Sequence, residues 1–437
     1  MSELGPELEP LEVLRGSHGG GETHPRPAAA PRPPRRVRRV VVTGVAGVFV
    51  LSAVAAVARD DSNGSEPDRA PVGEAAGPSW TGAPKGDEPA PPGWRRGAPG
   101  PLRPRQGHVA VWTGSALVVW GGDPSDDGHG AAYHPTTNHW RPIASAPFSA
   151  RRWPAPVAVW TGFEMLVWGG QEAGPAAAVA GAYDPIADRW RTLATSPLAA
   201  RAPLAGVWTG EEFVVAGGTA DGRRFPSPEA AAYDPAGDRW RQLPPMPVAL
   251  TDAVGLWTGS EVVILGSALG DGNHSLDPEK KPRAAAYNPA SDRWRLLAPP
   301  PLSPQATTAV WTGDQIVAWD YNLRAVALDP DLGPSARWSA LPDLPLDFTE
   351  CYPTAMAAGD VVFAEHCGQG AVYRPSTGTW VRVPHPRQLS AEPVWTGEEL
   401  LFWVGRYDAS ADGLWRFRPP PPRPVGPVPP VLGAKRR

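Results

Sequence analysis

Residues 156–192 read PVAVWTGFEMLVWGGQEAGPAAAVAGAYDPIADRWRT, and the stretch returns in altered form along most of the chain. Trp-Thr-Gly begins at Trp112, Trp160, Trp208, Trp257, Trp311 and Trp395, with Ala357-Ala358-Gly359 filling the gap before the last. Successive starts lie 48, 48, 49, 54, 46 and 38 residues apart. An apolar run ending in small residues follows: VVWGG before Asp123, LVWGG before Gln171, VVAGG before Thr219. Tyr-X-Pro comes next, at Tyr133, Tyr183, Tyr233, Tyr287 and Tyr373, with Leu328 and Phe417 as weaker equivalents. Trp140, Trp190, Trp240, Trp294 and Trp380 each stand seven residues after those tyrosines, and Trp338 stands ten after Leu328.

Each period reads as four short β-strands joined by turns. The first strand ends at Trp-Thr-Gly, the second in Gly-Gly, the third at Tyr-X-Pro, and the fourth carries the later tryptophan. A four-stranded sheet cannot bury both faces alone, so successive sheets must stack around an axis. Two residues before each Trp-Thr-Gly stand Ala110, Ala158, Gly206, Gly255 and Ala309, with Ala355 and Pro393 in the divergent units. Small side chains suit innermost strands that converge. Seven first strands and seven third strands are present, but no fourth strand follows Phe417. Its match is Trp94-Arg95, which precedes Trp112 by 18 residues, the interval from Trp190 to Trp208. The expected fold is all-β, a seven-bladed propeller over residues 94–418 closed by its own N-terminal strand.

Glycine pairs after an apolar strand, followed by Tyr and Trp at fixed separation, resemble the kelch repeat of galactose oxidase-like propellers. The resemblance weakens in the last three blades, where Asp320-Tyr321, His366-Cys367 and Val404-Gly405 replace Gly-Gly. It implies either a binding module or a carbohydrate-active enzyme. Galactose oxidase-like enzymes hold copper with His and Tyr, one Tyr being joined to Cys; bacterial sialic acid epimerases also use kelch propellers. The histidines of this chain are scattered, so no metal and no cofactor is expected. His134 and His139 flank one turn and read as replacements for the Asp and Arg of sister repeats. The Asp/Gly-rich loops 123–130 and 270–277 lack the alternating oxygen ligands of a calcium loop.

The segments before and after the repeats differ in kind. Residues 40–58, VVVTGVAGVFVLSAVAAVA, form an uncharged run of 19 residues. As a helix it would span roughly 28 Å, close to the ~30 Å core of a bilayer. Arg32, Arg35, Arg36, Arg38 and Arg39 precede it, which predicts a single-pass anchor in a bacterial-type membrane with the propeller outside. Ala56-Val57-Ala58 also reads as a cleavage site, and cleavage after Ala58 would give a secreted protein. Residues 1–39 read as a disordered cytoplasmic tail, 59–93 as a Pro/Gly-rich linker, and 419–437 as a Pro-rich disordered tail. The chain holds 57 Pro, 48 Gly and 20 Trp, a mixture that fits many turns between aromatic strands. A net charge of −4 without a basic face in the repeats argues against nucleic acid as a partner.

Ligands of propellers sit where second-to-third-strand loops meet the connections between blades. The candidates there are Arg105, Arg152 and Arg201 on inter-blade connections, with Arg223, Asp320, Tyr321, Glu365 and His366 on the loops. Asp123, Gln171, Arg224, His274 and Gln305 lie near the same rim. Cys351 and Cys367 are equidistant from Gly359, which predicts a cross-strand disulfide, two free thiols being the alternative. The functional expectation is a non-catalytic module that binds a protein or carbohydrate outside the membrane. The alternative is a carbohydrate-active enzyme, an oxidase or an epimerase.

Overall fold

A computed structural model of the chain describes residues 93–421, apart from 104, 106, 123–127, 149–155, 172–177, 203–204, 221–225, 269–280, 304–306, 348–352, 387–392 and 405–412. The segments 1–39, 40–58 and all but the end of 59–93 lie outside the described residues. Among the described residues no helix is long and apolar enough to cross a membrane.

Seven four-stranded antiparallel sheets make a seven-bladed propeller. Blade 1 comprises Val109–Trp112, Leu117–Trp120, Gly130–His134 and His139–Pro142. Blade 2 comprises Pro156–Trp160, Met165–Gln171, Ala178–Asp184 and Arg189–Thr192. Blade 3 comprises Ala205–Trp208, Phe213–Ala216, Ala230–Asp234 and Arg239–Gln242, and blade 4 Thr251–Trp257, Val262–Ala268, Lys281–Asn288 and Arg293–Leu296. Blade 5 comprises Thr308–Trp311, Ile316–Trp319, Ala325–Leu328 and Ser339–Ala340. Blade 6 comprises Thr354–Ala358, Val361–His366, Gln369–Arg374 and Thr379–Val383. Blade 7 comprises Val394–Trp395, Leu400–Val404 and Gly413–Phe417. Its fourth strand is Trp94–Arg96, with Trp94 opposite Phe417 and Arg96 opposite Trp415.

The turn chemistry explains the repeat. In each Trp-Thr-Gly turn the threonine hydroxyl accepts the backbone N–H three residues on, as Thr161 does from Glu164 at 3.0 Å. The glycine that follows has φ between +92° and +104° in all six turns, a region closed to most side chains. In blades 2 and 3 the third strand ends with an Asp that accepts backbone N–H groups, as Asp184 does from Ile186 and Ala187. Four residues later Asn138, Asp188, Asp238 and Asp292 take positive φ, which Asn and Asp tolerate best among non-glycine residues.

Between neighbouring blades lie seven apolar clusters, one for each interface of the ring. The hub is as narrow as the small residues imply: a Cβ on Gly255 would meet Val207 Cγ2 at 2.4 Å. Six of the seven fourth-strand tryptophans donate the indole N–H to a carbonyl of the preceding blade's exit segment, Trp380 being the exception. Trp140 reaches Ala98, Trp190 Ala144, Trp240 Ala194, Trp294 Pro244 and Trp338 Ala298, all within 2.7–2.9 Å. Trp94 does the same to Pro384 at 2.7 Å, so the N-terminal strand completes the last blade in full. Trp338 keeps this role because a 3-10 turn, Pro330–Ser335, fills the extra length of blade 5.

One register differs from the expectation. Ala358 pairs with Val361, which centres the blade 6 hairpin between Gly359 and Asp360 and not on Gly359. A two-residue turn sets that centre. Cys367 falls just past the second strand with φ +51°, and Cys351 lies outside the described residues. No cysteine is free among the described residues.

Candidate functional site

The antiparallel meander of each blade separates its connections onto two faces. Second-to-third-strand loops and inter-blade connections share one, the loop face. Trp-Thr-Gly and Tyr-X-Pro turns share the other, the turn face. The six described candidates, Arg105, Arg201, Asp320, Tyr321, Glu365 and His366, belong to loop-face segments; Arg152 and Arg223 lie outside the described residues.

Arg105 is buried and donates from Nη1 to the carbonyls of Gly121 at 3.2 Å and His129 at 3.4 Å. It therefore stitches the end of the blade 1 hairpin. Arg201 holds the corresponding place in blade 3. Both donate from Nε to the carbonyl two residues back, Arg103 and Ala199, at 3.1 Å. Arg201 then turns its Nη2 to Glu229 Oε2 at 2.8 Å, an oxygen that also accepts from the Ser227 hydroxyl. Its Nη1 is buried without a hydrogen-bond partner, alone among the described guanidinium groups.

Asp320 is buried where blades 1 and 3 have glycine. Its carboxylate accepts the backbone N–H groups of Ser303 at 2.6 Å, Asn322 at 3.0 Å and Arg324 at 3.2 Å. It thereby ties the blade 5 loop to the connection entering that blade. Tyr321 beside it is half-buried. In blade 6, Glu365 is buried and accepts the Gly368 N–H at 2.9 Å, bracing the tight turn at Cys367-Gly368. His366 is fully buried. The contacts described for Arg105, Arg201, Asp320 and Glu365 each stay within one blade and the connection that enters it. Burial and the Arg105 charge lower the His108 pKa to about 4, and burial lowers that of His385 to about 4.

The turn face carries a lattice that the repeat reading left out. Glu164, Glu212 and Glu261, four residues after the Trp of each Trp-Thr-Gly, form paired hydrogen bonds with Arg191, Arg241 and Arg295 of the same blade. The arginines of blades 2 and 3 reach on to the next blade: Arg191 to the Tyr233 hydroxyl at 3.2 Å, Arg241 to the Tyr287 hydroxyl at 3.1 Å. Those phenols donate to Asp238 and Asp292 at 2.6 Å, as Tyr183 does to Asp188 at 2.5 Å. Burial, aided by the neighbouring carboxylate, pushes the pKa of Tyr233 and Tyr287 up to about 12. At the closure Glu399 holds both Arg95 at 2.7 Å and Arg416, and Arg416 reaches the Tyr133 hydroxyl of blade 1 at 2.9 Å. Burial works against ionisation of Glu399, but Arg416 and Arg95 outweigh it and hold its pKa below the usual value.

The spacing that carries this lattice is present in the sequence, with Glu four residues after the Trp of Trp-Thr-Gly in blades 2, 3, 4 and 7 and Arg after the late tryptophan of blades 1 to 4. It went unread because its hydrogen bonds join different strands and neighbouring repeats. As for metals, no three of His, Cys, Asp and Glu gather among the described residues. No described cysteine is free, and four of the repeat tyrosines are bound to Asn or Asp on the turn face. The described residues do not fit a copper centre built from His, Tyr and a Tyr–Cys link.

No family model and no curated protein matches the chain. Among solved structures, one similar chain is described as "Novel fungal alcohol oxidase with catalytic diversity among the AA5 family, in complex with copper". The TM-score is 0.52 at 14% identity, covering 75% of this chain and 76% of that one. At that identity the likeness concerns the fold, a β-propeller with a neighbour in the galactose oxidase family.

Proposed function

We propose that this chain is a membrane-anchored, extracytoplasmic kelch-type propeller that binds a protein or glycan on its loop face without catalysing a reaction. One observation carries the non-catalytic reading. The acidic residues that break the repeat, Asp320 and Glu365, are occupied by backbone N–H groups of their own loops and, for Asp320, of the connection entering its blade. A group so engaged is a turn staple and not a poised acid, base or ligand. The position of the ends supports the orientation. Arg418 N–H donates to the Gly93 carbonyl at 3.1 Å, so both flanking segments leave together on the turn face. An anchor in residues 40–58 then leaves the loop face accessible to a partner. A disulfide between Cys351 and Cys367 belongs to the same reading, since such bonds persist outside the cytoplasm.

A second reading, copper-dependent alcohol oxidation, rests on the described activity of the structural neighbour. Metal analysis of the purified full chain, with an assay for peroxide from primary alcohols and a glycan array, separates the two. We expect no stoichiometric copper and no peroxide; copper at one equivalent with turnover would overturn the binding reading. Thiol titration of the denatured, unreduced chain should find no free thiol, whereas two would refute the disulfide.

A further inference from the structure

We propose that His134 and His139 form a two-histidine clip for a divalent transition-metal ion of the Ni²⁺, Cu²⁺ and Zn²⁺ class, on the turn face of blade 1. The site is independent of what the loop face binds. His134 ends the third strand, His139 begins the fourth, and the two are direct partners across the ladder. Residues so paired point to one side of the sheet with Cβ atoms about 5 Å apart. Two imidazoles mounted at that distance can each bring a nitrogen to about 2 Å from one ion.

The sister blades show that side chains at these positions meet. Blade 2 pairs Asp184 with Arg189, blade 3 Asp234 with Arg239 and blade 4 Asn288 with Arg293. In blade 3 the two join in an ion pair of 2.9 Å. Blade 1 changes both members together, exchanging opposite charges for two imidazoles, which suit Zn²⁺, Cu²⁺ and Ni²⁺. No other histidine in the described ladders has a histidine opposite it. His134 is half-buried and His139 exposed, so an ion can reach both rings. Among the described residues neither ring makes a hydrogen bond. Arg141, the nearest cation along the strand, is engaged by Asp188 at 3.3 Å and by the Pro185 carbonyl at 3.2 Å, both of blade 2.

The place of the pair gives the clip a consequence. The same turn receives the closing blade. Arg416 of blade 7 donates to the Pro135 carbonyl at 3.1 Å as well as to the Tyr133 hydroxyl, and Asn138 accepts the Ala98 N–H at 2.8 Å, just past the closing strand. An ion held by His134 and His139 ties the two ends of this turn and so steadies the seat of blade 7 on blade 1. Two protein ligands leave the other coordination positions to water, so the ion exchanges readily and must be supplied to be seen.

Hydrogen exchange read by mass spectrometry on the untagged full chain, with and without added Zn²⁺, tests the clip at peptide resolution, which keeps binding by other histidines apart. Zn²⁺ should slow exchange several-fold in peptides covering 131–142 and in those covering 94–98. His134→Asp combined with His139→Arg installs the blade 3 pair. That variant should match the parent chain without metal, which reports an intact hairpin, and should lose the Zn²⁺ response. His139→Ala, at an exposed position, should lose it as well. Protection of 131–142 that survives these variants, protection confined to other segments, or none at all would overturn the clip; protection of 131–142 without 94–98 would overturn its link to the closure.

Discussion

The turn face and the loop face are built from the same repeat, yet they solve their polar demands differently. On the turn face a lattice of Glu, Arg, Tyr and Asp recurs in blades 2, 3 and 4 and at the closure, and Arg191, Arg241 and Arg416 carry it on to the next blade. On the loop face blades 1, 3, 5 and 6 each have their own device: Arg105 over the Gly121 and His129 carbonyls, Arg201 on Glu229, Asp320 on three amides, Glu365 on one. The contrast teaches where change is tolerated. A group bonded across a blade interface constrains two repeats at once, while a loop staple constrains only its own loop. The turn face is therefore the shared frame of the ring, since altering one member strands its partners. The loop face is free to vary with a ligand.

If the lattice is what locks the ring, its strongest point is the closure. Glu399 and Arg416 are both buried, and Arg95 on the incoming strand shares the same carboxylate. Glu399→Ala leaves Arg416 as an uncompensated buried charge, at a cost of about 3–5 kcal/mol. The equivalent Glu212→Ala removes a half-exposed pair and should cost about 1 kcal/mol or less. Urea unfolding of both variants checks this, and equal losses would deny the closure any special role.

Acid should weaken the fold from the interior before it reaches the lattice. His108 and His385 have folded pKa values lowered to about 4 from 6.5, so the unfolded chain binds their protons more readily. Their contribution is present above about pH 6.5 and is lost as the pH falls toward 4, by about 3 kcal/mol each as an order of magnitude. The depressed carboxylates Glu399, Asp238 and Asp292 add a further loss as pH falls below about 4. His385 packs edge-on to Trp94, with centroids 4.8 Å apart, so its protonation acts at the closing strand. His385→Phe should flatten the slope between pH 6.5 and 4, read from urea midpoints; an unchanged slope would remove His385 from the account.

The loop-face half of the comparison is sharpened by restoring the repeat. Asp320→Gly returns blade 5 to the Gly-Gly pattern yet frees three backbone N–H groups, and should cost about 2–3 kcal/mol. A neutral result would mean that Asp320 is available to a ligand after all.

The fold was legible because its signals are local and repeated. Trp-Thr-Gly needs a glycine at positive φ, and the Trp94-Arg95 spacing marked a strand cut off from its sheet. The site was less legible. Asp320 and Glu365 stood out as exceptions in the sequence, but loop amides have no period, so nothing in the spacing said which groups these carboxylates would meet. The blade 6 hairpin centre falls between Gly359 and Asp360 and not on Gly359, since symmetry about a turn depends on whether the turn holds one residue or two.

The smallest effect isolates one hydrogen bond of the lattice. Trp240 and Trp380 hold the same place on the fourth strands of blades 3 and 6, each tilted against a tyrosine, with centroids 5.1 and 5.0 Å apart. The Trp240 indole donates to Ala194 O at 2.9 Å, whereas the buried Trp380 indole has no acceptor. Replacing either by Phe removes similar ring area, so the difference between the two losses reports the bond itself. Trp240→Phe should be the costlier by about 1 kcal/mol, because it also leaves a carbonyl without its donor. Differential unfolding of the two variants under one set of conditions measures that gap. A gap of zero would mean that ring packing alone joins the blades, and that the recurrence of the indole bond around the ring is a by-product of where tryptophan fits.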